Sequence, residues 1–277
     1  MSLRDLAAER GPLIMGVVNV TPDSFFDGGR WFGFQAALDH ARQLIADGAD
    51  VLDIGGESTR PGAQPVTLGE EIDRVVPLIQ AIAEEWDGPI SIDSLKPEVA
   101  EEAFKAGACV WNDVTALTHS SESLETAARL GGDVVLMHMR GEPRTMQSNP
   151  WYEDVVAEIE SYLLERADVA IRAGVARERI WIDPGIGFGK TLDHNLALIA
   201  ATKRLASHGF PLLMAASRKR FIAALEEREG AVASDADHRL GATIAVHLHA
   251  IANGAQMVRV HDVAEMKQAL RVWRALS

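Results

Sequence analysis

Short, continuously apolar runs recur eight times along the chain, each followed by a stretch with helical periodicity. The runs are Leu13–Val20, Val51–Gly55, Ile90–Asp93, Val110–Val114, Val134–His138, Ile180–Asp183, Leu212–Ala216 and Met257–Val260. Uninterrupted apolar character, rather than strict alternation, is the signature of parallel strands covered on both faces. The segments between them read as helices: Gln35–Asp47, Leu68–Glu85, Pro97–Lys105, Leu124–Leu130, Glu153–Ala173, His194–Ser207, Leu240–Ala252 and Ala264–Leu276. Their ends carry stop and start signals. Gly48, Gly107 and Gly174 follow three of them, Thr67 with Glu70 has capping-box spacing, and Pro97 sits in a first turn. Eight β-then-α units predict an α/β chain closed into a single-domain (β/α)8 barrel of the TIM type, with an open doubly wound sheet as the alternative. Residues 1–12 read as a lead-in. Segments 21–33 and 57–66 read as mobile loops, and the connections Arg140–Tyr152 and Glu226–Asp237 are longer than such a barrel needs.

Composition narrows the function. The 277 residues are 47% hydrophobic, which suits one large core, and no linker divides them. A net charge of −13 argues against nucleic acid or an anionic membrane as partner. Cys109 is the only cysteine, so no disulfide framework or thiolate metal cluster forms, and a small buried hydrophobe is its expected role. The N-terminal stretch lacks an apolar core of signal-peptide length and no run of 18 apolar residues follows, which points to the cytoplasm.

In a barrel of this kind the active site gathers at the C-terminal strand ends. Those ends carry Asn19, then Glu57, Thr59 and Arg60, then Asp93, Asn112, Asp113, His138, Asp183, Ser217, Lys219, Arg259 and His261. A strand leaving the core turns polar on meeting water, but a titratable or amide group at nearly every end exceeds that. Two other patterns fail on spacing. Pro184 stands where a phosphate loop ending in Gly189-Lys190-Thr191 needs its first glycine, leaving only the backbone of Gly185–Gly189 as a pocket lining. His247 and His249, two apart on a helix, face different ways and do not suit zinc.

The strand-end segments resemble the dihydropteroate synthase family in seven separate stretches in order: Ile14–Phe25, Asp53–Ala63, Ser91–Pro97, Asn112–Val114, Asp183–Thr191, Ser217–Lys219 and Val258–Asp262. The resemblance implies a condensation of 6-hydroxymethyl-7,8-dihydropterin diphosphate with p-aminobenzoate, giving 7,8-dihydropteroate and pyrophosphate, with Mg²⁺ assisting departure of the diphosphate. It also implies a homodimer and an enzyme of the kind that sulfonamides target. Carried onto this chain, Asp93, Asn112, Asp183 and Lys219 would hold the pterin. Arg259 and His261, with Asn19 as metal ligand, would hold the diphosphate. Phe25, Asp27, Thr59, Arg60 and Pro61, with Phe188 and Ser217, would meet the aminobenzoate. Asp27, Asp93, Lys219 and Arg259 are the expected catalytic groups. Phe26, Ser94 and Arg220 depart from common family residues, which bears on the shape of the aminobenzoate pocket. A pterin-binding methyltransferase and a non-catalytic family member are the competing readings. The first needs no diphosphate clamp, and the second would have lost strand-end groups.

Overall fold

The computed structural model describes residues 2–20, 29–58, 64–142 and 145–276. Eight parallel strands form its sheet: β1 (Leu13–Asn19), β2 (Val51–Gly55), β3 (Ile90–Asp93), β4 (Val110–Asp113), β5 (Asp133–Met137), β6 (Ile180–Asp183), β7 (Leu213–Met214) and β8 (Met257–Val260). They run in the order β6-β5-β4-β3-β2-β1-β8-β7. The parallel bridge between Ile182 and Leu212 joins the two ends, so the sheet closes on itself. The barrel expectation holds. Only the seventh strand is much shorter than the apolar run Leu212–Ala216 suggested, because Ala215 and Ala216 already belong to the turn into the next loop.

Closure explains why the strands read as continuously apolar while still having a period of two. In β1, Leu13 and Met15 face the barrel interior and Ile14 and Val18 face the surrounding helices. The interior core combines Leu13, Met15, Val51, Val110, Val135, Trp181, Leu213 and Met257. Two residues further along the same strands stand Asp53, Asn112, Asp183 and Arg259, on the same inward side. The lower barrel is therefore filled with apolar side chains and the upper barrel with polar ones.

Helices α1 (Leu3–Arg10), α2 (Gly29–Ala46), α3 (Leu68–Glu85), α4 (Pro97–Lys105), α5 (Ser123–Leu130), α6 (Val155–Arg172), α7 (Leu192–Ala200), α8 (Thr202–Leu205), α9 (Phe221–Arg228), α10 (Leu240–Ala252) and α11 (Val263–Leu276) complete the described chain. Several differ from expectation. The lead-in is a helix: α1 has a capping box between Ser2 and Asp5 and sends Leu3, Leu6 and Ala7 into the interior core from below. Asp133 Oδ2 secures it, accepting from Leu3 N at 3.1 Å and from Arg179 Nη1 at 3.0 Å. The expected loop 21–33 is helical from Gly29 onward, while its residues 21–28 lie outside the described set. The single helix expected over His194–Ser207 begins earlier, at Leu192 with Thr191 as its cap, and is broken into α7, α8 and a 3-10 turn. The first part of Glu226–Asp237 is the end of α9, which the periodicity did not predict.

Within Arg140–Tyr152, Met146 and Tyr152 are buried and anchor the segment, while most of its other described residues are exposed. Cys109, expected inside, is exposed: it precedes β4 at the barrel's lower rim, held by its N–H bond to Ile90 O. On α11, Val272 is exposed whereas Trp273 packs against the core. Among the described residues, no helix is long and apolar enough to cross a membrane.

Candidate active site

Strand register brings the inward polar residues to one level. Asp93 lies opposite Asn112, Met137 opposite Asp183, and Met15 opposite Arg259. At the centre is Arg259. Its Nε donates to Asp53 Oδ2 at 2.6 Å and its Nη2 donates to Asp93 Oδ2 at 2.7 Å. The same Asp53 oxygen accepts from Asn112 Nδ2 at 3.1 Å. One guanidinium thus joins β8 to β2 and β3, and one carboxylate oxygen joins β2 to β4 and β8. A buried cation carrying two carboxylates offsets part of the cost of burying all three. The arrangement leaves Asp93 with an unusual affinity for protons. Burial pushes its pKa up to about 7, against the attraction of Arg259 and with help from nearby Asp53.

The second group forms where β6 meets the loop after β7. Asp183 Oδ1 accepts from Gly185 N at 2.7 Å, and burial raises the pKa of its carboxyl while Lys219 opposes the rise. Lys219 donates to Ile186 O, and its Nζ stands 4.3 Å from the centre of the Phe188 ring. Burial lowers the Lys219 ammonium to about 8. The turn holding Phe188 requires its glycines. Gly185 has φ +68°, and a Cβ there would lie 2.0 Å from His138 O.

Ser217 and His261 meet on the other flank. Ser217 Oγ lies 2.9 Å from His261 Nδ1 and accepts from His261 N at 3.2 Å. Between Ser217 and Lys219, Arg218 holds a left-handed φ of +57°. A paired bond to Asp262, at 3.0 and 2.5 Å, and a bond from Arg218 N to Thr243 Oγ1 at 3.0 Å keep it there. Asn19 ends β1, half-buried beside Gly55.

The structure therefore gathers Asp93, Asn112, Asp183, Lys219, Phe188 and Arg259, with Ser217 and His261 paired alongside. Phe25, Asp27, Thr59, Arg60 and Pro61 lie outside the described residues. Two strand-end residues take structural parts. Asp113 accepts from Thr115 N, Thr115 Oγ1 and Leu117 N, shaping the turn after β4, and burial lifts it to about 6. Glu57 bonds Lys96 Nζ at 2.5 Å, as does Glu71 of α3, and the same ammonium donates to Val66 O at 2.9 Å. Both flanks of the 57–66 segment, expected to be mobile, are thus tied to one half-buried lysine. His247 is a buried acceptor for Ala216 N at 3.2 Å. Two residues escaped the sequence reading, Asp53 and Lys96, while Lys190 entered it only through the rejected phosphate-loop pattern. Asp53 had a visible signal, being a charge inside the apolar run Val51–Gly55, but its partners are set only by closure.

Comparison with known proteins agrees with this geometry. The family described as pterin binding enzyme matches residues 15–261. The dihydropteroate synthase of Escherichia coli strain K12 is 44% identical over 264 residues, covering 95% of this chain and 91% of that one. The Synechocystis enzyme of the same name is 43% identical over 263 residues, covering 95% and 89%. Among solved structures, Xanthomonas albilineans dihydropteroate synthase with 4-aminobenzoic acid has a TM-score of 0.88 at 46% identity, covering 96% of this chain and 93% of that one. A Yersinia pestis dihydropteroate synthase with a sulfonamide drug complex has a TM-score of 0.88 at 40% identity, covering 96% and 94%. The Xanthomonas enzyme in complex with 7,8-dihydropteroate has a TM-score of 0.85 at 42% identity, covering 96% and 93%. The chain belongs to the dihydropteroate synthase family of pterin-binding enzymes.

Proposed function

We propose that this chain condenses 6-hydroxymethyl-7,8-dihydropterin diphosphate with p-aminobenzoate, releasing pyrophosphate and 7,8-dihydropteroate. The observation that carries the reading is the polar upper layer of the barrel, where acceptors and donors for a flat heterocycle stand next to cationic and imidazole groups. Asp183 accepts from the N–H groups of the pyrimidine edge, Lys219 donates to the ring carbonyl and nitrogen, and Asn112 and Asp93 meet the opposite edge. Arg259 and His261 receive the diphosphate. The bond between the methylene carbon and the diphosphate oxygen breaks, and its electron pair leaves with pyrophosphate. The carboxylates of Asp93 and Asp183 favour the positive charge this leaves on the pterin. The arylamine nitrogen then bonds to the methylene carbon and loses a proton.

Mg²⁺ fits as a companion of the diphosphate. Among the described residues no cluster of three His, Cys, Asp or Glu is arranged to hold a metal. Asn19 offers one amide oxygen at the barrel mouth, and Mg²⁺ bound mainly by substrate phosphates needs little more from the protein. It would neutralise charge on the leaving group. Phe25, Asp27, Thr59, Arg60, Pro61, Phe188 and Ser217 are assigned to the aminobenzoate, for which sulfonamides would compete. A cytoplasmic homodimer, using the exposed Val272 face of α11, completes the reading.

Pyrophosphate release is the direct assay. It should require both substrates and Mg²⁺, and folded protein without turnover would overturn the assignment. Asp183→Asn should remove most pterin binding, and unchanged affinity would move the pterin elsewhere.

A further inference from the structure

Two groups singled out by the sequence have no part in the reaction above: Lys190, from the sequence Gly189-Lys190-Thr191, and His138, at the end of β5. The fold brings them together. Both are buried, Lys190 at 3% exposure and His138 at 7%. Lys190 Nζ donates to Phe188 O at 2.9 Å and to His138 O at 3.3 Å, and lies 3.1 Å from His138 Nδ1. An ammonium has three hydrogens to donate, and three acceptors surround this one. Burial pushes His138 down to about 3, so its ring is neutral at ordinary pH, and with the proton on Nε2 its Nδ1 accepts. Tyr162 stands edge-on to that ring, with centroids 4.9 Å apart, and fixes its plane.

The contacts of this pair lead to the pterin-facing groups. His138 N donates to Asp183 O at 3.1 Å, and Gly185 N to Asp183 Oδ1 at 2.7 Å. The carbonyl of His138 that Lys190 grips is the one that leaves no room for a Cβ on Gly185. The other gripped carbonyl belongs to Phe188, whose ring lies beneath Lys219. Tyr152 adds an outer tie, its hydroxyl donating to Gly189 O at 2.9 Å. Asp183 also supports the Lys190 charge, while burial pushes its pKa well below the usual lysine value.

We propose that Lys190 is a positioning residue for pterin recognition: bound to His138 and Phe188, it locks the 185–189 turn against the end of β5 and so sets Asp183 and Phe188 relative to Lys219. This rests on the pterin assignment made above. Lys190 touches no substrate in this arrangement and acts through the turn.

The test is steady-state kinetics of Lys190→Met, which keeps the volume and removes the donors. The KM for the pterin diphosphate should rise about tenfold or more, and the KM for aminobenzoate, whose assigned contacts include the Phe188 ring on the same turn, should rise by a smaller factor. A folded variant with the parental pterin KM would overturn the proposal. Should Lys190→Met fail to fold, His138→Gln decides: it leaves both carbonyl acceptors and removes the ring, and should raise pterin KM about threefold or more. A parental value there overturns the proposal equally. Nitrogen NMR of the unaltered protein should find His138 protonated on Nε2, and a proton on Nδ1 would contradict the clamp. Asp183→Asn run in parallel separates the two claims. Lost pterin binding there beside a parental Lys190→Met overturns the positioning role alone, whereas unchanged binding in Asp183→Asn overturns the pterin assignment and this proposal with it.

Discussion

Arg259 donates to Asp53 at 2.6 Å from the opposite end of the sequence, and the accepting carboxylate has no exposure to solvent. The second oxygen of Asp53 is buried without a hydrogen-bond partner in the described structure. The guanidinium is aimed by this carboxylate. Asp53 therefore sets where Arg259 stands beneath the assigned diphosphate site.

Asp53→Asn keeps the shape and removes the charge. Breaking a buried pair in this way should cost about 3 kcal/mol of stability and lower kcat/KM for the pterin diphosphate about a hundredfold. Denaturant unfolding and steady-state kinetics check both. A variant with parental kinetics would show that Arg259 needs no such support.

Lys96 holds Glu57, Glu71 and Val66 together, and Glu71 is 1% exposed. Lys96→Met strands a buried carboxylate, so urea unfolding should register a loss of about 3 kcal/mol. Because the ammonium ties both flanks of the segment bearing Thr59, Arg60 and Pro61, the KM for aminobenzoate should rise more than that for pterin. Equal effects on the two substrates would count against a local role.

Leu6 of α1 closes the lower barrel at 2% exposure, far from the polar layer. Leu6→Ala should lower stability by about 2–5 kcal/mol through loss of buried area and the cavity left behind. Kinetics at a temperature where the variant is folded should stay parental. Altered substrate KM values would mean the plug communicates with the site.

Lys219 is lowered to about 8 by burial, with Asp183 and Asp93 opposing the shift and Arg259 adding to it. The ammonium form is therefore complete below that pH in the free enzyme and is lost as pH rises through it. The kcat/KM for pterin diphosphate should fall about tenfold per pH unit above pH 8. Lys219→Arg stays charged throughout and should abolish this alkaline limb, whatever its effect on the absolute rate. Persistence of the limb would assign it to another group.

Much of this was legible without coordinates. Eight apolar runs separated by capped helices give a closed barrel, because parallel strands covered on both faces permit few other arrangements. The polar residues ending those runs had to stand at its mouth, and Asp93, Asn112, Asp183, Lys219 and Arg259 do. What sequence periodicity conveys is which way a side chain points. It does not convey which side chain it meets, since partners are set by register and closure between segments far apart in the chain. Arg259 on Asp53, Lys190 on His138 and Lys96 between Glu57 and Val66 are all decided at that level. The same holds for α1, whose polar N-terminal sequence gave no sign of entering the barrel. Only the open lower end of a closed sheet supplies the apolar surface that Leu3 and Leu6 cover.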